Sequence, residues 1–283
     1  QEAIEGLKIK PGEKYIDCTL GGGGHGFEIV KRGGEVLGID CDEEAIEYVG
    51  KNLTNLPNWT NLKLVRGNFK DLKEIAVKNG FSKVSGILFD LGVSTHQLLE
   101  EKRGFSFNSD AVLDMRMDPD LKVTAADLIN GLREGELYEL FTKFGEEHNA
   151  WAIARAVVRE RALRPIRTCR ELAEIVGKVR GARGKLHPAT RVFQALRIAV
   201  NDELNNLKAA LPQAVELLEK KGKLVVISFH SLEDRIVKNF FKEKEEKGIL
   251  EILTKKPIGP SLREVEETQK SRSAKMRIAQ KYE

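Results

Sequence analysis

Four glycines and a histidine close the segment YIDCTLGGGGHG at Tyr15 to Gly26, directly after an apolar stretch. Glycine reaches positive φ cheaply and leaves no Cβ between main chain and ligand. A helix starting near Phe27 would aim its unpaired N–H groups at the same point. This combination binds a small molecule through the backbone. Gly21, Gly23 and Gly26 satisfy G-x-G-x-x-G. Asp40 ends a second β-rich run, EVLGID at Glu35 to Asp40, at roughly the ~20-residue offset where an acid at a strand tip takes ribose hydroxyls. A ribose-bearing cofactor is implied, and the pattern serves a dinucleotide or S-adenosylmethionine (AdoMet) equally. The plainer alternative, a turn that merely packs helix on strand, leaves the placement of Asp40 unexplained.

A third element is FDLGVS at Phe89 to Ser94. A carboxylate at this strand end flanks the switch point of a doubly wound sheet, where it can meet both cofactor and substrate. Asp or Ser ahead of a helix also caps it; Ser94 is the better cap and Asp90 the better chemical group. Phe69, just after a strand, offers an apolar face for a purine, although a lone Phe defaults to the core. His187 in HPAT and His230 in SFHS each precede a helix, so either can be a turn or capping residue. His230 closes the strong strand that begins at Lys223, on the ligand edge, and is the better candidate for substrate contact. No histidine and carboxylate share one helix at ligand spacing, so no metal site is expected.

These groups need strands to carry them. Strands are predicted at Tyr15 to Leu20, Glu35 to Ile39, Leu62 to Arg66 and Gly86 to Leu91, with helices at Phe27 to Lys31, Glu43 to Asn52 and Leu72 to Asn79. Such alternation builds a parallel, doubly wound α/β sheet with its ligand at the carboxyl strand ends. It then lapses, and Ala125 to Asn130, Glu134 to Phe144, His148 to Leu163 and Cys169 to Val179 read as helices at 3.6-residue periodicity. Sheet logic resumes with a helix from Thr190 to Lys220, the strand Lys223 to Phe229, a helix from Leu232 to Lys247, and strands at Ile249 to Thr254 and Met276 to Lys281. The expected organisation is a sheet domain from residues 1–108 and 190–283, with a helical insertion at 109–189.

At 283 residues, 41% hydrophobic and 32% charged, the chain can bury a substantial core. No apolar run approaches the ~20 residues of a membrane span and no signal peptide opens the chain, so a cytoplasmic protein is expected. Cys18, Cys41 and Cys169 have no C-x-x-C spacing and imply reduced thiols. The net charge is +4, but its distribution is uneven. From Arg155 to Arg191 the basic residues Arg155, Arg159, Arg161, Arg164, Arg167, Arg170, Lys178, Arg180, Arg183, Lys185 and Arg191 face only Glu160, Glu171 and Glu174. Solvated helix faces usually mix signs, so this excess points to phosphate and to nucleic acid.

Longer motifs sharpen the reading. DCTLGGGGHG at Asp17 to Gly26, FDLGVSTHQL at Phe89 to Leu98, RGFSF at Arg103 to Phe107, LDMRMD at Leu113 to Asp118, HPATRVFQALRIAVNDEL at His187 to Leu204, SFHSLEDRIVK at Ser228 to Lys238 and SRSAKMR at Ser271 to Arg277 occur in this order. Together they closely resemble the bacterial MraW/RsmH methyltransferases. The resemblance implies a Rossmann-like class I methyltransferase fold with an inserted helical domain, and AdoMet as cofactor. The implied reaction is methylation of the exocyclic N4 of a cytidine in the decoding region of 16S rRNA, with the RNA met within the small ribosomal subunit. It further implies that Gly23, Gly24 and His25 contact AdoMet, that Asp40 binds its ribose, that Phe69 lies against the adenine, and that Asp90 and Gln97 complete the pocket. Asp90 and His230 are the expected catalytic residues. Arg103, Phe105, Phe107, Arg116, His187, Arg191 and Arg197 are the expected RNA contacts, with Phe105 or Phe107 stacking on a base.

The sequence departs from related patterns in three places. DLGV stands where many amino-methyltransferases carry an Asn/Asp-Pro-Pro-aromatic motif. The family's short His-x-Pro-Val segment is not among these residues. Thr268-Gln269-Lys270 replaces the usual Asn-Pro before SRSAK. Two other classes compete. A nicotinamide-dependent oxidoreductase would use the same glycines and Asp40 but leaves the basic insertion unexplained, and a non-catalytic RNA-binding factor leaves the cofactor pocket without a purpose.

Overall fold

The computed structural model describes residues 1–53, 59–94, 97, 100–107, 109–181 and 187–282. They form two compact units, one of Gln1–Gly92 with Leu204–Glu283 and one of Val93–Glu203. Arg183 and Lys185 of the basic stretch lie outside the described residues.

The chain enters the first unit through helix α1 (Glu2–Leu7), then alternates β1 (Lys14–Asp17), α2 (Gly24–Lys31), β2 (Glu35–Asp40), α3 (Glu43–Asn52), β3 (Leu62–Arg66), α4 (Leu72–Lys78) and β4 (Val84–Asp90). The second unit holds α5 (Ala125–Gly131), α6 (Glu134–Lys143), α7 (Ala150–Leu163), α8 (Cys169–Arg180) and α9 (Thr190–Asn201). Then come α10 (Glu203–Leu217), β5 (Leu218–Ser228), α11 (Ser231–Glu246), β6 (Leu250–Ile252), α12 (Leu262–Glu267) and β7 (Lys275–Lys281).

The sheet order is β3-β2-β1-β4-β5-β7-β6. Strands β1 to β5 pair in parallel, and β7 inserts antiparallel between β5 and β6. This is a doubly wound sheet with an antiparallel edge. Successive residues of each central strand serve opposite faces, as the two-residue period of a strand requires. Ile16, Leu37, Ile87, Phe89, Leu224 and Val226 join one hydrophobic cluster; Tyr15, Val36, Leu88 and Val225 join the other. Both faces are apolar, so both take helices. At the antiparallel edge, Arg277 of β7 grips Asp234 of α11 through Nε at 2.6 Å and Nη2 at 3.2 Å.

The helical unit encloses a core of Leu113, Ile129, Leu137, Phe141, Ile153, Val157, Leu172, Val176, Phe193 and Leu196. Capping boxes start α5, where Thr124 pairs with Asp127, and α8, where Thr168 pairs with Glu171. The unit runs from Val93 to Glu203 rather than over 109–189, because Phe105, Val192, Phe193 and Leu196 all bury their side chains in this core. Asn201 fastens the LDMRMD segment to α9, accepting from Met117 N at 2.7 Å and donating to Met115 O at 2.8 Å. The single helix expected over 190–220 is two. Asp202, at φ 49, caps α9 in the left-handed region, and the β5 strand begins at Leu218, earlier than its apolar run suggests. Among the described residues no helix is long and apolar enough to cross a membrane.

The Arg277 and Asp234 side chains are only 9% and 14% exposed. Removing one partner strands a buried charge, so Arg277→Ala should lose about 3 kcal/mol of unfolding free energy. The replacement of both by Met and Leu should recover most of it; urea denaturation of the two variants decides, and an unchanged midpoint for Arg277→Ala would refute the role given to the pair.

Candidate active site

The ligand-binding loop is held by the strands around it. Cys18 N donates to Leu88 O of β4 at 2.9 Å, and Leu20 N to Ile39 O of β2 at 2.9 Å. Asp40 then closes the loop from the tip of β2: Oδ2 accepts from Gly21 N at 2.8 Å and Oδ1 from Asp42 N at 2.9 Å. Gly21 and Gly23 take φ of 49 and 80. At Gly23 a Cβ would also meet the Phe27 ring at 2.8 Å, so the position is closed to side chains on two grounds. At Gly22 and Gly24 a Cβ would find nothing within 4 Å. The loop thus presents bare backbone to open space at the start of α2, which is the cradle a nucleoside-bearing cofactor needs.

Three carboxylates lie at neighbouring strand ends. Asp17 closes β1 fully buried, its Oδ1 accepting from Thr19 N at 3.2 Å and its Oδ2 without a hydrogen-bond partner among the described residues. Burial, followed by the nearby charge of Asp40, pushes its carboxyl up to about 7. Asp40 is also raised by burial, while its bonds to backbone N–H groups oppose the rise. Asp90 closes β4, where its N–H donates to Thr19 Oγ1 at 2.7 Å. Its Oδ2 stands 3.6 Å from Nδ1 of His25, and its buried Oδ1 has no partner among the described residues. Burial raises Asp90 to about 6, partly offset by His25 and reinforced by Asp17, Glu233 and Glu264. Burial lowers His25, which Asp90 partly restores. Phe69 sits on the turn after β3, edge-on to Phe89 with ring centroids 5.6 Å apart.

Gly23, Gly24, His25, Asp40, Phe69 and Asp90 therefore gather at one edge of the sheet. Gln97 belongs to the helical unit, where it is buried and its Oε1 accepts from Ser94 N at 3.0 Å. His230 is the N-cap of α11: Nδ1 accepts from Glu233 N at 3.3 Å, and Nε2 lies 3.2 Å from Glu233 Oε1. Nδ1 is thus taken by the helix cap, while the buried Nε2 makes no hydrogen bond among the described residues despite its nearness to Glu233.

The arginines expected on RNA are mostly spent inside the helical unit. Arg116 makes a bidentate pair with Asp114 at 2.7 and 2.8 Å and donates to Pro119 O and Leu121 O. Arg103 donates to Arg116 O and Met117 O, Arg191 to Glu146 O, and Arg197 to both oxygens of Glu203 at 2.8 Å. Phe105 is 8% exposed within the hydrophobic core, which leaves it no face for a base. Phe107 stacks on His187, centroids 4.1 Å apart and planes 6° apart, with Phe193 against its edge. Sequence reasoning passed over Asp17 and Thr19. The signal for Asp17 was present, since an acid that ends an apolar strand just before a glycine loop must be buried beside it.

The raised carboxyl of Asp17 has a direct consequence for stability. Between its ordinary value of 3.8 and about 7, the unfolded chain has released this proton while the folded one retains it. Folding stability therefore falls through that window, at up to ~1.4 kcal/mol per pH unit from this group. Asp17→Asn, which keeps the acceptor for Thr19 N, should flatten the decline in urea-derived stability between pH 4 and 7. Parallel curves for variant and parent would refute the assignment.

Comparison with known proteins identifies the family. The model of the MraW methylase family matches residues 1–282. A ribosomal RNA small subunit methyltransferase H from Coprothermobacter proteolyticus is 47% identical over 269 residues, covering 94% of this chain and 89% of that protein. Proteins of the same name from Carboxydothermus hydrogenoformans and Dehalococcoides mccartyi are each 46% identical, covering 99% of this chain and 95% and 84% of their own lengths. These matches remove the oxidoreductase reading of the glycine loop: the chain belongs to the MraW methylase family of AdoMet-dependent methyltransferases.

Proposed function

We propose that this protein methylates ribosomal RNA of the small subunit in the cytoplasm, and that its target is the exocyclic N4 of one cytidine in the decoding region of 16S rRNA. The names of full-length relatives support the ribosomal substrate. The observation that carries an amine target is Asp90, whose buried Oδ1, at the carboxyl end of β4, has no hydrogen-bond partner among the described residues. Bound AdoMet would supply an electrophilic methyl group on a cationic sulfonium. Gly23 and Gly24 would give its amino-acid portion close approach to backbone, Asp40 its ribose an acceptor, Phe69 its adenine an apolar face, and His25 a ring N–H for its carboxylate. Gln97 completes the proposed set.

Cytosine N4 is a weak nucleophile because its lone pair is delocalised into the ring. A carboxylate that accepts an N–H of this amine favours the pyramidal geometry and aims the lone pair, effects that reside in positioning and electrostatics. Thr19 fixes the main chain of Asp90 through its hydroxyl, and His25 fixes the carboxylate from the other side. Only ionised Asp90 accepts at both oxygens, so turnover should rise with pH through about 6, the value to which burial brings this group. Phe107 and His187 form the proposed aromatic surface near the RNA. Arg103, Arg116, Arg191 and Arg197 shape the unit that receives it.

Unmodified small subunits incubated with labelled AdoMet should yield N4-methylcytidine at a single site when the RNA is digested and its nucleosides are identified by mass spectrometry. Asp90→Ala should lower kcat about 100-fold while AdoMet affinity stays within a few-fold. Undiminished turnover would sink the role of Asp90. Label on a different nucleoside would retain the methyltransferase and discard the N4 target.

A further inference from the structure

One side of α7 carries side chains that the reaction leaves unused. Trp151, Arg155 and Arg159 follow one another at four-residue spacing, and all three are exposed, so they lie along one face. Trp151 is 50% exposed; Tyr138 of α6, 38% exposed, meets it edge to face with centroids 5.2 Å apart and planes at 80°. Two large rings held against each other in water mark an interaction site, since the same area would otherwise be buried.

The charges on this face differ from those of the other arginines. Arg155 has no hydrogen bond or ion pair among the described residues, and Arg159 reaches only Glu160, at 3.6 Å. Arg103, Arg116, Arg191 and Arg197 are all bonded within their unit. On the α6 side Glu139 is neutralised by Lys143 at 2.7 Å and Glu136 is engaged at the helix start with Arg133 N, leaving Glu134 one turn from Tyr138. Positive charge therefore collects along α7, beyond the indole.

We propose that this face docks single-stranded ribosomal RNA, with a base stacked on Trp151 beside Tyr138 and flanking phosphates held by Arg155 and Arg159. The proposal rests on the reading of the protein as a ribosomal RNA methyltransferase. Aromatic faces accept any base, and guanidinium forks match phosphate oxygens, so an aromatic and arginine strip suits unpaired RNA. An acidic protein would satisfy the arginines but would leave the indole without a stacking partner.

The test uses the full chain with AdoMet present and a short single-stranded RNA oligonucleotide as probe. In a Trp59→Phe background the emission of Trp151 should be quenched by the RNA. Trp151→Ala should weaken RNA binding about tenfold or more and raise KM for unmodified small subunits to match, with kcat, AdoMet affinity and melting temperature unchanged; Trp151→Phe should restore most of the loss. Arg155→Gln should lower the slope of log affinity against log salt by about one. Oligonucleotide binding unaffected by both variants would overturn the proposal, and so would a loss confined to assembled subunits, which would mark a protein contact. Quenching by RNA in an enzyme that methylates no subunit would uphold this surface while the proposed activity fell.

Discussion

The carboxylate of Asp40 is the constraint on which the site depends. One oxygen takes the N–H of Gly21 and the other that of Asp42, so a single side chain ties the glycine loop to the tip of β2 and starts the turn into α3. Without that tie the loop would have to hold its left-handed glycines by local preference alone, and glycine has the least such preference of any residue. The loop in turn places Thr19, whose hydroxyl accepts the N–H of Asp90. A chain of short polar links thus runs across the ends of β2, β1 and β4, and the position of each carboxylate depends on the others.

Clustering buried acids is costly, and the cost appears as raised carboxyls at the strand ends. Asp17, Asp40 and Asp90 are all shifted toward their neutral forms, chiefly by burial; the charge of Asp40 adds to the rise at Asp17, that of Asp17 to the rise at Asp90, and that of Asp42 to the rise at Asp40. Such a group of carboxyls is poised to accept positive charge, because a cation at the strand ends favours their ionised forms against the burial and repulsion that raise them. A sulfonium ligand has that charge. The same electrostatics favour a cationic methyl donor over a neutral or anionic nucleoside.

The helical unit shows a second use of charge. Basic residues concentrated in sequence suggest a surface made for polyanions, yet several guanidiniums are the internal fasteners of the unit. Arg116 ties a turn together through one carboxylate and two carbonyls, and Arg191 holds the carbonyl of Glu146. Arginine suits such work because its fork satisfies several acceptors at fixed angles. The cations left for a partner are those on exposed helix faces without internal acceptors, Arg155 foremost.

The sequence by itself determined the sheet and the edge where the ligand binds. Apolar strands at regular intervals, glycines with no Cβ to spare and an acid at the tip of the second strand are local requirements, and local requirements leave local marks. The motif order from Asp17 to Arg277 determined the family in the same way. The tertiary structure alone decided which polar groups are free. Whether an arginine meets RNA or a carbonyl depends on acceptors far away in the chain, as with Arg191 and Glu146, and His230 became a cap because Glu233 folds back onto it. The extent of the helical unit was likewise settled by packing, since Phe105 and α9 bury apolar surface there and no pattern within either segment says against which core it will do so.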